Sequence, residues 1–237
     1  MVQHSLTTNF FEMKTDLKLK NDVLAELEWE PSINASEIGV AVSKGVVTLT
    51  GYVGTYSEKL AAEKAALRVD GVKAVAQEIQ VKVSGSLMRT DEDIAESALN
   101  RLKWAADVPD EKIKVKVENG WITLNGHVDW NYQRDAAKNA VKDLIGVRGI
   151  SNLISINIIA EPLGIKEKIR RAFERNAIID ADNVNVKIED KKAILSGNVR
   201  SWAEKQQAED TTWAAIGINE VENNLKIKPQ NVPVPAY

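Results

Sequence analysis

Residues 45–53 read GVVTLTGYV, residues 120–128 read GWITLNGHV, and residues 191–199 read KKAILSGNV. The phrase returns after 75 and then 71 residues, each time with a glycine followed two positions later by valine. Anchored on Gly51, Gly126 and Gly197, the three copies align without a gap in both directions. Twenty residues downstream stand Gly71, Gly146 and Gly217, and thirty downstream stand Val81, Ile156 and Ile227. Upstream, the aligned sets are Ile38, Ile113 and Val184, then Val40, Val115 and Val186, then Val42, Val117 and Ile188.

Apolar residues separated by single intervening positions are the period-2 signature of a strand with one buried face. A tight connection follows in each copy (SKG, ENG, EDK), with Asn119-Gly120 the clearest hairpin turn. The opening phrase is then a second strand, and its glycine predicts a bulge or a bend where the chain leaves the sheet and a Cβ would clash. Thr55 with Glu58 and Ser201 with Glu204 form capping-box pairs at the start of a helix, with Gln133 in the same third slot and Trp130 where a cap belongs. Gly71, Gly146 and Gly217 are expected to end that helix as C-cap glycines. Before each unit lies another helix, whose stripe is Leu19, Val23 and Leu27, then Ile94, Ala98 and Leu102, then Ile165, Ile169 and Phe173.

The order is therefore αββαβ three times, an α+β chain of three tandem units. Each should be a small three-stranded sheet with two helices packed on one face and its last two strands parallel. The units are placed at residues 15–83, 90–158 and 163–228, joined by linkers short enough to keep neighbouring copies in contact. Residues 1–12 and 229–237 are expected to be a flexible extension and tail.

Composition bounds the chemistry. Of 237 residues, 44% are hydrophobic and 27% charged, as in an ordinary folded chain. A net charge of −3 with mixed signs supplies no field for sequence-independent nucleic-acid binding. The absence of cysteine removes disulfides, thiolate nucleophiles and thiolate metal sites. No apolar run is long enough for a membrane span, and Met1 opens no secretory signal pattern, so the expected location is the cytoplasm. With His4 and His127 alone, a catalytic triad or two-histidine metal site has few possible members. His127 with Asp129 reads either as a shared metal site or as a solvent-exposed strand end. No phosphate-binding glycine loop is present. The expectation is a protein without cofactor, metal or catalytic residues. Asp91, Glu92 and Asp93 read either as a cation site or as acids complementing a helix N-terminus.

The phrases VTLTG, ITLNG and AILSG, with DGVKAV, IGVRGI and IGINEV, resemble the BON domain, and the resemblance covers nearly the whole chain. It implies a small non-enzymatic module of bacterial osmotic-stress and envelope proteins, regarded as binding phospholipid surfaces. Some members act like chaperones, and one cytoplasmic member senses potassium. By that resemblance a periplasmic location is the alternative. The six aligned glycines at 51, 126, 197, 71, 146 and 217 are fold residues and mark no ligand site.

Binding candidates come from where the copies differ. Trp29 and Trp104 end the first helix of copies one and two, and Arg175 replaces them in copy three. Such aromatics either cap their own core or stand as surface anchors for lipid or a neighbouring domain. Tyr56, Trp130 and Trp202 gather at the start of the second helix, where staple-like packing is expected. In copy three Lys168, Arg171 and Arg175 share one flank of the first helix, and Lys168 aligns with Asp22. That flank is either a solvated helix face or the site that engages anionic phospholipid or a protein partner. The leading function is a stress-response binding protein whose modules act together. The alternative is a potassium sensor built on backbone carbonyls and carboxylates between copies.

Overall fold

The computed structural model describes residues 14–85, 88–157 and 164–228. The expected extension at 1–12 and tail at 229–237 lie outside the described residues. Copy one consists of α1 (Asp16–Trp29), β1 (Ile38–Ser43), β2 (Val46–Val53), α2 (Tyr56–Arg68) and a last strand in two pieces, β3 (Ala74–Gln77) and β4 (Gln80–Val81). Copy two is α3 (Asp91–Trp104), β5 (Ile113–Glu118), β6 (Trp121–Val128), α4 (Asn131–Val141) and β7 (Gly149–Ile156). Copy three is α5 (Ile165–Glu174), β8 (Val184–Glu189), β9 (Lys192–Val199), α6 (Trp202–Trp213) and β10 (Glu220–Ile227).

The αββαβ order holds three times, and each copy keeps its own sheet. The first two strands pair antiparallel and the last pairs parallel to the second, as a helix crossing between them requires. Each sheet buries one face beneath its two helices, and the predicted helical stripes are all in the cores. The hairpins turn on residues with positive φ: Lys44 and Gly45, Asn119 and Gly120, and Asp190 in copy three. Two turns are clamped from the preceding helix. Asp16 accepts from the Lys44 and Gly45 amides at 2.8 and 3.2 Å, and Asp91 from those of Asn119 and Gly120 at 2.7 and 2.8 Å.

Of the expectations for the anchor glycines, the clash of a Cβ holds and the exit from the sheet does not. Gly51 pairs with Ile38 inside a strand that runs on to Val53, so the chain does not leave the sheet there. What excludes a side chain is the backbone: a Cβ on Gly51, Gly126 or Gly197 would overlap the carbonyl oxygen of Glu37, Lys112 or Asn183. Gly71, Gly146 and Gly217 are not C-caps. α2 ends at Arg68 with Val69 as its extended cap, and Gly71 occupies the third place of a turn closed by Val72 N–H to Val69 C=O at 3.2 Å, with φ +96°. A positive φ at that place is what a type II turn requires. Gly146 repeats this geometry between Leu144 and Val147.

One device in all three copies was not read from the sequence. Gln77, Asn152 and Asn223 occupy one aligned position on the core side of the last strand. Their amide nitrogens donate to the carbonyls of Lys59, Arg134 and Lys205 at 3.2, 2.8 and 3.3 Å. Their amide oxygens accept the N–H two residues on, from Ile79, Ile154 and Leu225, at 3.2, 3.4 and 3.2 Å. A buried-face amide that satisfies both its ends ties helix to strand without an unpaired polar group.

Candidate functional site

Three second helices build the middle of the molecule. The start of α2 meets the end of α4: Ser57 Oγ donates to the Lys142 carbonyl at 3.3 Å and to the Asp143 carboxylate. Tyr56 is buried among residues of the second core, and this burial raises its pKa, with Glu63 adding to the rise. Similarly, the start of α4 meets the end of α6. Trp213 packs against the cores of both copy two and copy three, and the Arg134 guanidinium lies 4.5 Å from its ring. The circle closes where Trp202, Ala203 and Gln206 of α6 face Lys64, Leu67 and Arg68 of α2 across a cleft. The three helices thus run head to tail around a centre, and the expected contact between copies is made by them.

The helix starts depend on their capping residues. Thr55 and Glu58 form the full reciprocal box: Glu58 N–H donates to Thr55 Oγ1 at 3.1 Å, and Thr55 N–H to Glu58 Oε2 at 2.9 Å. Gln133 supplies only the returning half, accepting from Asp129 and Trp130 at 3.1 Å each. In copy three Ser201 caps Glu204, but Glu204 reaches back to Arg200 N–H at 2.7 Å instead of to Ser201. Its other oxygen takes the Asp180 amide at 2.8 Å. With the Arg200 guanidinium at 3.1 Å, these contacts hold a carboxylate that is 1% exposed.

The basic flank of α5 stands beside a groove. Lys168 and Arg175 line it together with Ile165, Ile169 and Ala172, and the end of α6 forms the far wall with Ala214, Ala215 and Ile216. The groove encloses about 350 Å³, and Ile216 is exposed. Arg171 is exposed on the same helix but does not line it. None of the three cations enters an ion pair among the described residues, whereas Arg170 is held by Glu167 and Glu174 at 3.5 and 3.0 Å. The matching positions of copy one are Asp22, Ala25 and Trp29, and Asp22 and two nearby acids are held in ion pairs. Asp22 pairs with Lys14 at 3.0 Å, and Arg68 takes Glu26 and Glu30 at 2.8 and 2.9 Å. Hydrogen bonds from Arg68 and Ser32 lower the Glu30 pKa.

Trp29 and Trp104 are 82% and 85% exposed, so neither caps its core, and that reading is corrected. Each follows the last buried residue of its helix by two positions, Leu27 or Leu102, which turns it away from the apolar stripe. The structure leaves them apart from the α5 groove, since neither lines it. Tyr56 serves a neighbouring copy instead of a local staple, and Trp130 is 39% exposed at the α4–α6 seam. His127 is exposed, and Asp129 beside it is 3.4 Å from the Lys112 ammonium. Asp91 and Asp93 are spent on the hairpin and on the Thr90 capping box, whose bonds to Thr90 lower the Asp93 pKa. Among the described residues no three His, Cys, Asp or Glu side chains gather as metal ligands, and no helix is long and apolar enough to cross a membrane.

Comparison with known proteins gives the same repeat. The BON domain family model matches residues 15–83, 90–158 and 163–229. Osmotically-inducible protein Y of Escherichia coli (strain K12) is 31% identical over 141 residues, which cover 58% of this chain and 70% of that protein. Among solved structures, CdsD, a structural protein of the type III secretion system of Chlamydia trachomatis, matches at 15% identity over 89% of this chain and 92% of its own, with a TM-score of 0.26. A structure of the CdsD C-terminal domain matches at 15% identity over 91% of this chain and 100% of its own, with a TM-score of 0.25.

Proposed function

This chain belongs to the BON domain family, and on that premise we propose that it is a non-enzymatic binding protein of the bacterial stress response that engages anionic phospholipid surfaces through copy three. The likeness to an osmotically inducible protein supports the stress context. The observation that carries the binding site is the basic flank of α5, unpaired among the described residues, above an apolar groove. Lys168 and Arg175 border a groove lined by the buried Ile165 and Ile169 and by the exposed Ile216, so charge and exposed apolar surface meet at Ile216. An anionic interface offers both partners at once. Trp29 and Trp104 would add further contacts from copies one and two, and three linked modules would raise the effective concentration of each. No chemical step is needed for this role. It requires access to an anionic leaflet, and cell fractionation decides between the cytoplasmic and periplasmic sides.

Lys168, Arg171 and Arg175 lie off the buried stripe, so reversing all three to glutamate leaves the core residues in place. Each cation near an anionic surface contributes on the order of 1 kcal/mol. The triple variant should therefore lose co-sedimentation with phosphatidylglycerol vesicles, while the wild type binds them and releases them with salt over a Debye length of about 8 Å. Equal binding by wild type and triple variant would overturn the assignment. Binding that disappears on replacing Trp29 and Trp104 instead would move the site to the first two copies.

A further inference from the structure

The centre of the three-helix circle is a cleft of about 740 Å³, twice the volume of the α5 groove and within the roughly 300–1,000 Å³ range of small-ligand sites. Leu60 and Leu67 of α2 and Trp202 of α6 supply its apolar wall. Lys64, Lys138 and Lys142 supply ammonium groups, and none of them forms an ion pair among the described residues.

The other charges lining the cleft have partners. Arg68 is held by Glu26 and Glu30, Asp210 accepts the Gln206 amide at 2.9 Å, and Asp135 accepts that of Asn131 at 2.9 Å. Those amides are neutral and leave both carboxylates charged, so beside the ion-paired Arg68 the lining sets three ammonium groups against two carboxylates, an excess of one positive charge that favours an anion. A second observation is the indole Nε1–H of Trp202, which is buried and has no acceptor among the described residues. A buried donor without a partner is costly, and this one belongs to a ring that lines the cleft.

We propose that this central cleft binds a single-chain amphiphilic anion, one apolar chain or ring with one carboxylate, sulfonate or phosphate head. The apolar part lies against Leu60, Leu67 and Trp202, and the head is received by Lys64, Lys138 and Lys142. The ligand would bridge α2, α4 and α6, so it would bind the assembled circle and no single copy. The site is separate from the α5 flank, which shares no residue with it.

The test uses the full chain and decanoate below its micelle concentration. Calorimetry should show saturable one-to-one binding, with decanol at least about tenfold weaker because it lacks the charge that the lysines meet. Lys64→Glu with Lys138→Glu should weaken decanoate by about tenfold or more, since two attractions become repulsions. Decanoate brominated at its tail should quench wild-type fluorescence and leave that of Trp202→Phe unchanged, a readout that does not depend on the charge variant folding. The glutamate triple at Lys168, Arg171 and Arg175 should bind decanoate like the wild type even where it fails to bind vesicles. Absence of saturable binding, equal affinity for decanol, or quenching that persists in Trp202→Phe would each overturn the proposal, as would loss of decanoate binding in the glutamate triple.

Discussion

Replacing Trp213 with alanine tests whether the three copies form one folding unit. Trp213 lies at the end of α6, partly buried and packed against the cores of copies two and three, with Arg134 4.5 Å from its ring. A fully buried large aromatic is worth about 3–5 kcal/mol on truncation to alanine, and partial exposure brings this to roughly 2–3 kcal/mol. The cation–π contact adds about 0.5–1 kcal/mol. A BON copy of about 60 residues buries only about 60% of its unfolded surface and is marginal by itself. Loss of the shared residue should therefore both destabilise the chain and uncouple copy three. In urea unfolding followed by circular dichroism, the wild type should show one transition. Trp213→Ala should show two, or one with a lower midpoint and a shallower slope. Arg134→Gln should cost only the smaller part and keep a single transition. A Trp213→Ala loss below about 0.5 kcal/mol with an unchanged slope would refute the reasoning.

Gly126→Ala should destabilise copy two by several kcal/mol, or prevent its folding, because the added Cβ meets the Lys112 carbonyl at φ +147°; thermal unfolding checks this. Glu204→Ala should cost about 3 kcal/mol by leaving the Asp180 and Arg200 amides and the Arg200 guanidinium without their buried acceptor, whereas Glu58→Ala, at the more exposed equivalent, should cost about 1 kcal/mol. Asp135 is held above the ordinary carboxylate pKa by burial, opposed by Arg134 and Asn131, reinforced by Asp210 and opposed again by Lys138. A raised folded pKa means that ionisation is disfavoured in the folded state, so this contribution is greatest below about pH 4 and declines as pH rises through the folded value. Asp135→Asn should therefore match the wild type near pH 3 and be the more stable at pH 7 in urea titrations; the reverse order would contradict the burial.

The repeated architecture was legible because its signals are local and occur three times. Alternation at Ile38, Val40 and Val42, the Asn119-Gly120 turn and the Thr55–Glu58 box each depend on residues within a few positions of one another. The misplaced glycine roles have a physical reason: a helix end and a type II turn both take a glycine at positive φ, and only the helix end at Arg68 and the Val69–Val72 bond separate them. Gln77, Asn152 and Asn223 were overlooked because a polar residue in an apolar strand reads as solvent-facing, although their shared alignment was a usable signal. The exposure of Trp29 and Trp104 follows from their angle on the helix, two residues past Leu27 and Leu102, which the stripe itself contained. The docking of Tyr56 into copy two depends on tertiary geometry that no single-copy pattern encodes.

The positions that make the fold and the positions that join the copies have diverged differently. The anchor glycines and the amide ties keep their chemistry in all three copies, since each meets the same backbone atoms. At the seams, the first residue of the second helix is Tyr56, Asn131 or Trp202, and the position near its end is Leu67, Lys142 or Trp213. A symmetric trimer of one module would place one residue at all three seams, giving a centre of one character. Here Tyr56 enters a core, Trp213 bridges two, and Lys142 and Trp202 line the cleft from opposite helices. Covalent linkage allows this asymmetry, because each copy has a fixed neighbour on each side. It also permits an apolar wall and an ammonium group to face each other across a circle whose three members share one fold.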